Sequence, residues 1–475
     1  MKKIIYIAIA LLLVGCTKDF EDINTNPNFP VDVQPNLLLR KVIYNYGEAM
    51  SYEGFVAGNL LSQQLTALDF NLFDRHALKS PQLGGNPWEI FYTNLRDNEI
   101  ILNKSQTNTA FKVYEGPALI FKAYMSMALT DLFGDVPYSE AFSGDKKTAT
   151  PKYDSQESIY LSNGGIIDNL KKGITAIQNY NGNLPLEGDV LYNGNLNNWI
   201  KFANSLHIKA LIRISSKQNV STELQTLVTE SNYIKTNAEN AIFQFTNSEP
   251  NNFRMARLRA GDFNNFVMSE TIEEVLYTLN DPRVAILFRP FGNATGNEYN
   301  GLINGIDASQ TTISLSDYSL AGTIFRENTG DLKANYMTAW ETNFLLAEAA
   351  HKGIISANSK ELYDLATTQA FEYWNITLPT DYLNTTAAFD TTKGLEQIIT
   401  QKWIANTING YEGWIEYRRT GFPNLKPVSA SLNNGLIPIR MPYPAEEETL
   451  NKINYTKAAL ATDNNSINFK VWWNQ

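Results

Sequence analysis

The groups that could carry chemistry in this 475-residue chain are three histidines, 49 carboxylates and a single cysteine. His76, His207 and His351 stand apart in the sequence, and none has a partner at the His-Glu-x-x-His spacing that holds zinc. His207 lies beside an apolar stripe, and His351 falls in the last turn of a predicted helix, where a cation complements the helix dipole. Both read as structural. There is no Gly-x-Ser-x-Gly elbow, no P-loop and no Gly-x-Gly-x-x-Gly phosphate turn. Two of the 49 acids could form a glycosidase pair. A surface-anchored glycan or peptide hydrolase is therefore the alternative reading, although no segment presents acids in a catalytic strand-end setting. Neither catalytic residues nor a cofactor nor a metal ligand set is expected.

The pattern that does recur is aromatic. The chain has eight Trp, 24 Tyr and 24 Phe. In residues 68–76, 251–254, 261–265, 297–300 and 325–328, aromatic rings alternate with amides, carboxylates and guanidinium groups. Flat apolar faces beside planar polar groups suit sugars, which stack through their C–H faces and hydrogen-bond at the rim. They suit extended peptides equally well. The candidate ligand-binding residues are Phe70, Phe73, Arg75, Phe263, Tyr299, Phe325 and Arg326.

The elements that must position these loops are helical. Residues 112–133 are apolar with many small side chains and stop at Gly134, suited to a left-handed cap. In 198–214, Trp199, Phe202, Ala203, Leu206 and Ala210 form one helical stripe. Residues 336–352 and 359–374, six residues apart, predict an antiparallel helix pair, and 395–406 predict another helix. Trp199, Trp340, Trp374 and Trp403 on these stripes are core residues. The fold class is mainly α: tetratricopeptide-like helix pairs as scaffold, long irregular loops and a few short strands, without a clean 34-residue period. Residues 246–267 and 289–330 are Asn/Gly-rich loops, and loops of that length are usually functional or disordered. No linker divides the body, so residues 36–475 read as one domain.

The N-terminus supplies an address. Met1-Lys2-Lys3 is basic, residues 4–14 are apolar, and Leu13-Val14-Gly15-Cys16 closes the run, which describes a secretory signal over residues 1–15. Eleven apolar residues cover only about half of a ~30 Å hydrocarbon core. Leu-Val-Gly-Cys resembles the lipobox of bacterial lipoproteins, in which the cysteine is acylated and becomes the mature N-terminus. Cys16 is thus the expected lipidation site, followed by a flexible leader over residues 16–35. Its acidic start, Asp19 to Asp22, resembles the signal that exports some lipoproteins to the outer face of the outer membrane. Cleavage removes Lys2 and Lys3 and takes the net charge from −10 to −12. An acidic chain without a basic run argues against nucleic acid.

Several segments are more specific together than alone. They are Asn24-Thr25-Asn26-Pro27-Asn28, Asp131-Leu132-Phe133-Gly134-Asp135-Val136-Pro137-Tyr138, Asn280-Asp281-Pro282-Arg283, Gly413-Trp414-Ile415-Glu416-Tyr417-Arg418-Arg419 and Arg440-Met441-Pro442-Tyr443-Pro444. In this order, across nearly the whole chain, they resemble the SusD/RagB family of nutrient-binding outer-membrane lipoproteins. The resemblance implies a helical scaffold whose irregular loops carry the ligand site. It implies an oligosaccharide or oligopeptide ligand, and a SusC-like TonB-dependent β-barrel transporter over which the protein sits as a lid. The motif residues themselves read as architectural, with Trp414, Arg418 and Arg419 packing and pairing inside the scaffold.

Overall fold

Proline at the first helical position and an apolar stripe start the first helix, as expected where the lost N–H has no partner anyway. The computed structural model describes residues 33–142, 148–292, 298–310 and 312–475. The signal segment, Cys16 and the leader up to residue 32 lie outside these residues. Helix α1 (Pro35–Glu53) runs on through a π-helical turn, Gly54–Gly58, to Leu61. The two glycines have a packing reason: a Cβ on Gly58 would sit 2.0 Å from the Gly410 carbonyl oxygen, and one on Gly54 2.8 Å from the Gly410 nitrogen.

The other principal helices are α2 (Trp88–Thr107), α3 (Glu115–Phe133), α4 (Gln156–Leu161), α5 (Ile166–Gln178), α6 (Leu196–Ile214) and α7 (Ser221–Glu230). There follow α8 (Glu270–Leu279), α9 (Ala339–His351), α10 (Ser359–Tyr373), α11 (Gly394–Ala405) and α12 (Glu412–Thr420). The chain closes with α13 (Ala445–Leu450) and α14 (Lys452–Ala461). Packing runs from α1 to α2, α3, α5, α6 and α9 in turn, and α9 is covered by α10 and α11. This is the mainly α scaffold of helix pairs anticipated from the pattern. The caps are local and chemical: Asn195 accepts from the backbone of Asn197 and Asn198 to open α6, and Asn358 does the same for α10 through Lys360 and Glu361. Among the described residues no helix is long and apolar enough to cross a membrane.

Two boundaries differ from expectation. The predicted helix 336–352 starts late, because Lys333–Met337 is a strand and Thr338 caps α9 through Glu341. That strand pairs with Ala241–Gln244, nearly a hundred residues away, which no local period can reveal. The helix ending at Gly134 does use a positive φ of 79°, but its ψ of −124° lies outside the left-handed region expected for a cap. Only glycine tolerates that combination readily.

The helices enclose an ion network. Lys209 Nζ lies 2.9 Å from both Glu341 and Glu412. Arg213 reaches Asp131 at 3.0 Å, Glu412 at 2.9 Å and Glu416 at 2.7 Å. Arg419 pairs with Glu348 at 2.5 Å and Glu416 at 2.6 Å, while Lys402 lies 3.6 Å from Glu416. Arg418 stacks 4.4 Å above Trp414 and donates to the Asp131 carbonyl. Five cations thus sit among five carboxylates inside the scaffold, and the balance offsets desolvation only in part, since burial still pushes Asp131 upward and lowers Arg418 to about 9. The architectural role read from Trp414, Arg418 and Arg419 is what this packing gives them.

Candidate ligand-binding loop layer

Four loop segments remote in sequence are bound into one layer. Strand Leu65–Ala67 pairs antiparallel with Phe266–Met268, and single bridges add Leu320 and Leu302 to its neighbours. The knot is Asp74, fully buried. Its carboxylate accepts from Thr66 Oγ1 and Asn304 Nδ2 at 2.7 Å each, from Gly305 N–H at 2.8 Å and from Ala67 N–H at 3.3 Å. Burial pushes this carboxyl upward, against the pull of those donors. Gly305 needs its positive φ, and a Cβ there would sit 2.7 Å from Val428. The 428–436 segment is stitched on by backbone bonds from Ser429 to Asn304, Ala430 to Gly305 and Leu432 to Arg75.

The sequence-predicted residues divide into two groups. Phe70 stands 60% exposed at the tip of this layer with φ +50°, an uncommon conformation for an aromatic residue. Arg75 lies beside it in sequence, half-buried, its Nε donating to the Ala430 carbonyl and its guanidinium 3.6 Å from Asp307. Tyr299 lines a cleft that Met268 and Asn300 of the layer also line. Phe73, Phe263 and Phe325 instead face inward, at 3%, 1% and 1% exposure. Phe263 and Phe325 pack on Phe55 with ring centroids 5.9 and 5.2 Å away, and Phe73 fills the space against Gly85. Arg326 is a strut: it donates to the carbonyls of Met255 and Leu258 and lies 5.8 Å from the Phe263 ring. The expectation that Phe73, Phe263 and Phe325 offer a ligand-facing surface is therefore corrected by their burial, whereas Arg326 is only part-buried. Their polar neighbours satisfy loop backbone, and their rings form the floor on which the layer rests.

His76 also belongs to this floor. Burial lowers it to about 4, so it is neutral at physiological pH and its Nδ1–H donates to the Leu436 carbonyl at 3.1 Å. His207 is buried against Glu223, 3.0 Å away. Among the described residues no group of three His, Cys, Asp or Glu could hold a metal ion.

The cleft that contains Tyr299 has a volume of about 950 Å³. One wall is the end of α8 with Leu276 and Tyr277, continued by Pro282, Val284 and Ala285. The other is Phe291 and Tyr299. The walls are tied together where the Glu273 carboxylate accepts the Gly301 N–H at 2.9 Å. A Cβ on Gly301 would lie 2.7 Å from the Glu270 nitrogen, so glycine lets this wall press directly on the start of α8. Tyr277, at 83% exposure, was not among the sequence candidates. The signal was there: it sits one position off the buried Ile272–Leu276 stripe, on a face otherwise carrying Glu273 and Glu274.

A family model described as starch-binding and associating with the outer membrane matches residues 27–444. Among solved structures, a chitin-binding protein superposes with a TM-score of 0.78 at 24% identity, covering 93% of this chain and 100% of its own. A SusD homologue from Bacteroides fragilis NCTC 9343 gives 0.78 at 24% identity, covering 94% and 100%. A chitin-binding SusD homologue from Flavobacterium johnsoniae gives 0.76 at 22% identity, covering 92% and 98%. At such identities the structural likeness is one of fold. No curated protein matches the chain.

Proposed function

Since the chain belongs to the SusD/RagB family of outer-membrane binding proteins, we propose that it captures a nutrient oligomer and delivers it to a SusC-like TonB-dependent β-barrel, acting as the barrel's lid. The oligomer is an oligosaccharide or an oligopeptide, bound without cleavage. Chitin binding by two fold neighbours favours a glycan. The observation that carries the reading is the loop layer itself. It is assembled from remote segments through buried bonds, it holds an open cleft of about 950 Å³, and it presents an exposed aromatic ring at its tip. Such a layer supports the reading because its geometry is set before any ligand arrives.

In this reading Phe70, Arg75 and Tyr299 contact ligand, while Phe73, Phe263, Phe325 and Arg326 hold the floor beneath them. Residues 1–15 direct export, and Cys16 carries the lipid that keeps the protein on the membrane, facing the exterior. Ligand binding biases the lid toward closure. Affinity purification of the full-length chain from detergent-solubilised outer membranes tests the partnership. A TonB-dependent barrel should co-elute with it; recovery of the chain alone would remove the lid role.

A further inference from the structure

We propose that the α13–α14 segment is a self-association surface, on which a second copy of this chain docks about a two-fold axis. Such docking is independent of which ligand is captured. Helix α14 is amphipathic in reverse: its one buried residue is Ala458, while Ile453 and Leu460 stand 73% and 65% exposed. Ile453, Lys457 and Leu460 follow at i, i+4 and i+7, so they share one face. Leu450, at the end of α13, adds a third apolar side chain at 70% exposure, and α13 itself buries nothing. Polar bonds hold the segment to the body. Asn451 and Asn454 donate to the Pro151 carbonyl at 2.8 and 3.2 Å, and the Tyr153 hydroxyl donates to Glu447 at 2.7 Å. The large apolar groups are left to meet another surface.

Both halves of a self-complementary contact lie on this patch. Glu446, Glu448 and Tyr455 of the same two helices line a recess of about 380 Å³. Leu78, Pro81, Pro442 and Pro444 give it apolar walls, and Lys79 and Asn86 polar ones. The charges divide in the same way. Glu446 and Glu448 stand exposed on α13, Lys452 and Lys457 stand exposed on α14, and among the described residues none of the four has an ion-pair partner. A two-fold contact requires each patch to contain what the other needs. Antiparallel docking sets α13 of one copy against α14 of the next, so that acids meet lysines in both directions and an Ile453 or Leu460 side chain enters the apolar part of the recess. Three side chains alone fall short of the ~800 Å² per partner of a stable interface, and the recess extends the contact toward that area. The charges also decide against an anionic lipid surface, because the two acids cancel the two lysines.

Sedimentation equilibrium of the full-length chain in density-matched detergent, with micelles in large excess, should show a reversible dimer with a dissociation constant on the order of 10 μM. Ile453→Glu, at a position exposed in the single chain, should weaken the dimer at least about tenfold and leave the melting temperature unchanged. Lys452→Glu with Lys457→Glu should weaken it as well. Adding Glu446→Lys and Glu448→Lys to that pair should restore the dimer, a rescue that contact between two copies explains and a foreign partner does not. A monomer at every concentration, a dimer that Ile453→Glu leaves intact, or a fourfold variant no tighter than the lysine pair would each overturn the assignment. A monomer whose co-elution with a barrel is abolished by Ile453→Glu would overturn it in favour of the barrel as occupant of this face. A monomer whose binding to phosphatidylglycerol vesicles is abolished by the same change would overturn it in favour of the membrane.

Discussion

The side-chain amide of Asn265 brackets the backbone of Asp69: its Oδ1 accepts the Asp69 N–H at 2.7 Å, and its Nδ2 donates to the Asp69 carbonyl at 2.7 Å. Asp69 in turn accepts the Phe70 N–H on its own carboxylate at 2.7 Å. This clamp holds Phe70 in its left-handed conformation with the ring in solvent. A non-glycine residue there costs on the order of 1–3 kcal/mol, which the clamp must offset.

Phe70→Gly separates strain from function. Glycine adopts φ +50° freely, so thermal stability should stay level or rise by about 1 kcal/mol. Affinity for the captured oligomer should fall at the same time. Differential scanning calorimetry beside a binding titration checks both; unchanged affinity would remove Phe70 from the site.

Asn265→Ala should act through Phe70 without touching ligand. Loss of two hydrogen bonds predicts a stability cost of about 1–3 kcal/mol, together with an affinity loss approaching that of Phe70→Gly. A double variant no weaker in binding than Phe70→Gly alone would show that the clamp works through the ring. Full additivity of the two losses would contradict it.

How far the chain could be read follows from cases like these. Stripes of period 3.6 gave the helices, because Trp199, Phe202 and Leu206 must share a buried face. The strand at Lys333–Met337 was hidden, since Tyr336 and Met337 extend the apolar pattern of α9 and their strand partner lies far away in sequence. In the loops, Phe70 and Phe263 have the same surroundings in sequence, an aromatic between Asp and Asn. Burial separates them, and burial here depends on the position of Phe55 under Phe263. Asp69 and Asn71 beside Phe70 bond loop backbone as well, so polar neighbours alone do not mark a ligand-facing ring. Tyr277 escapes a search for aromatics among polar loop residues because it stands on a helix, α8.

The ion network makes stability depend on acid. Burial by itself would raise Glu412, but Lys209, Arg213 and Lys402 around it hold the carboxyl down to about 2, against an ordinary 4.5. Glu416 and Glu348 are also lowered despite burial, chiefly by Arg419. A carboxylate depressed in the folded state gives stability that is complete above about pH 4.5 and lost as pH falls toward 2. Asp131, Asp74 and Glu53 are raised by burial and contribute with the opposite sign. Melting temperature should therefore decline steadily below pH 4.5, and Glu412→Gln should flatten that decline. An identical slope in the variant would contradict the assignment.

Removing one member of the network should cost more than any surface pair. Lys209→Met leaves Glu341 and Glu412 buried with one counterion fewer, and the expected loss is about 3–5 kcal/mol by denaturant unfolding. A loss below about 1 kcal/mol, the range of an exposed pair, would mean that water reaches the site.

Cys16→Ser tests the proposed anchor. The variant should lose metabolic incorporation of labelled palmitate and leave the membrane fraction, with an unchanged melting temperature for the body. Normal labelling would place the lipid elsewhere.

The central claim is capture without cleavage at the loop layer. Its most direct measurement is titration of the purified full-length protein with a panel of oligosaccharides and oligopeptides, followed by chromatography of the recovered ligand. The account predicts saturable binding of at least one oligomer, returned at its original length and weakened by Phe70→Gly or Tyr277→Ala. Shortened products, or no saturable binding across the panel, would contradict it.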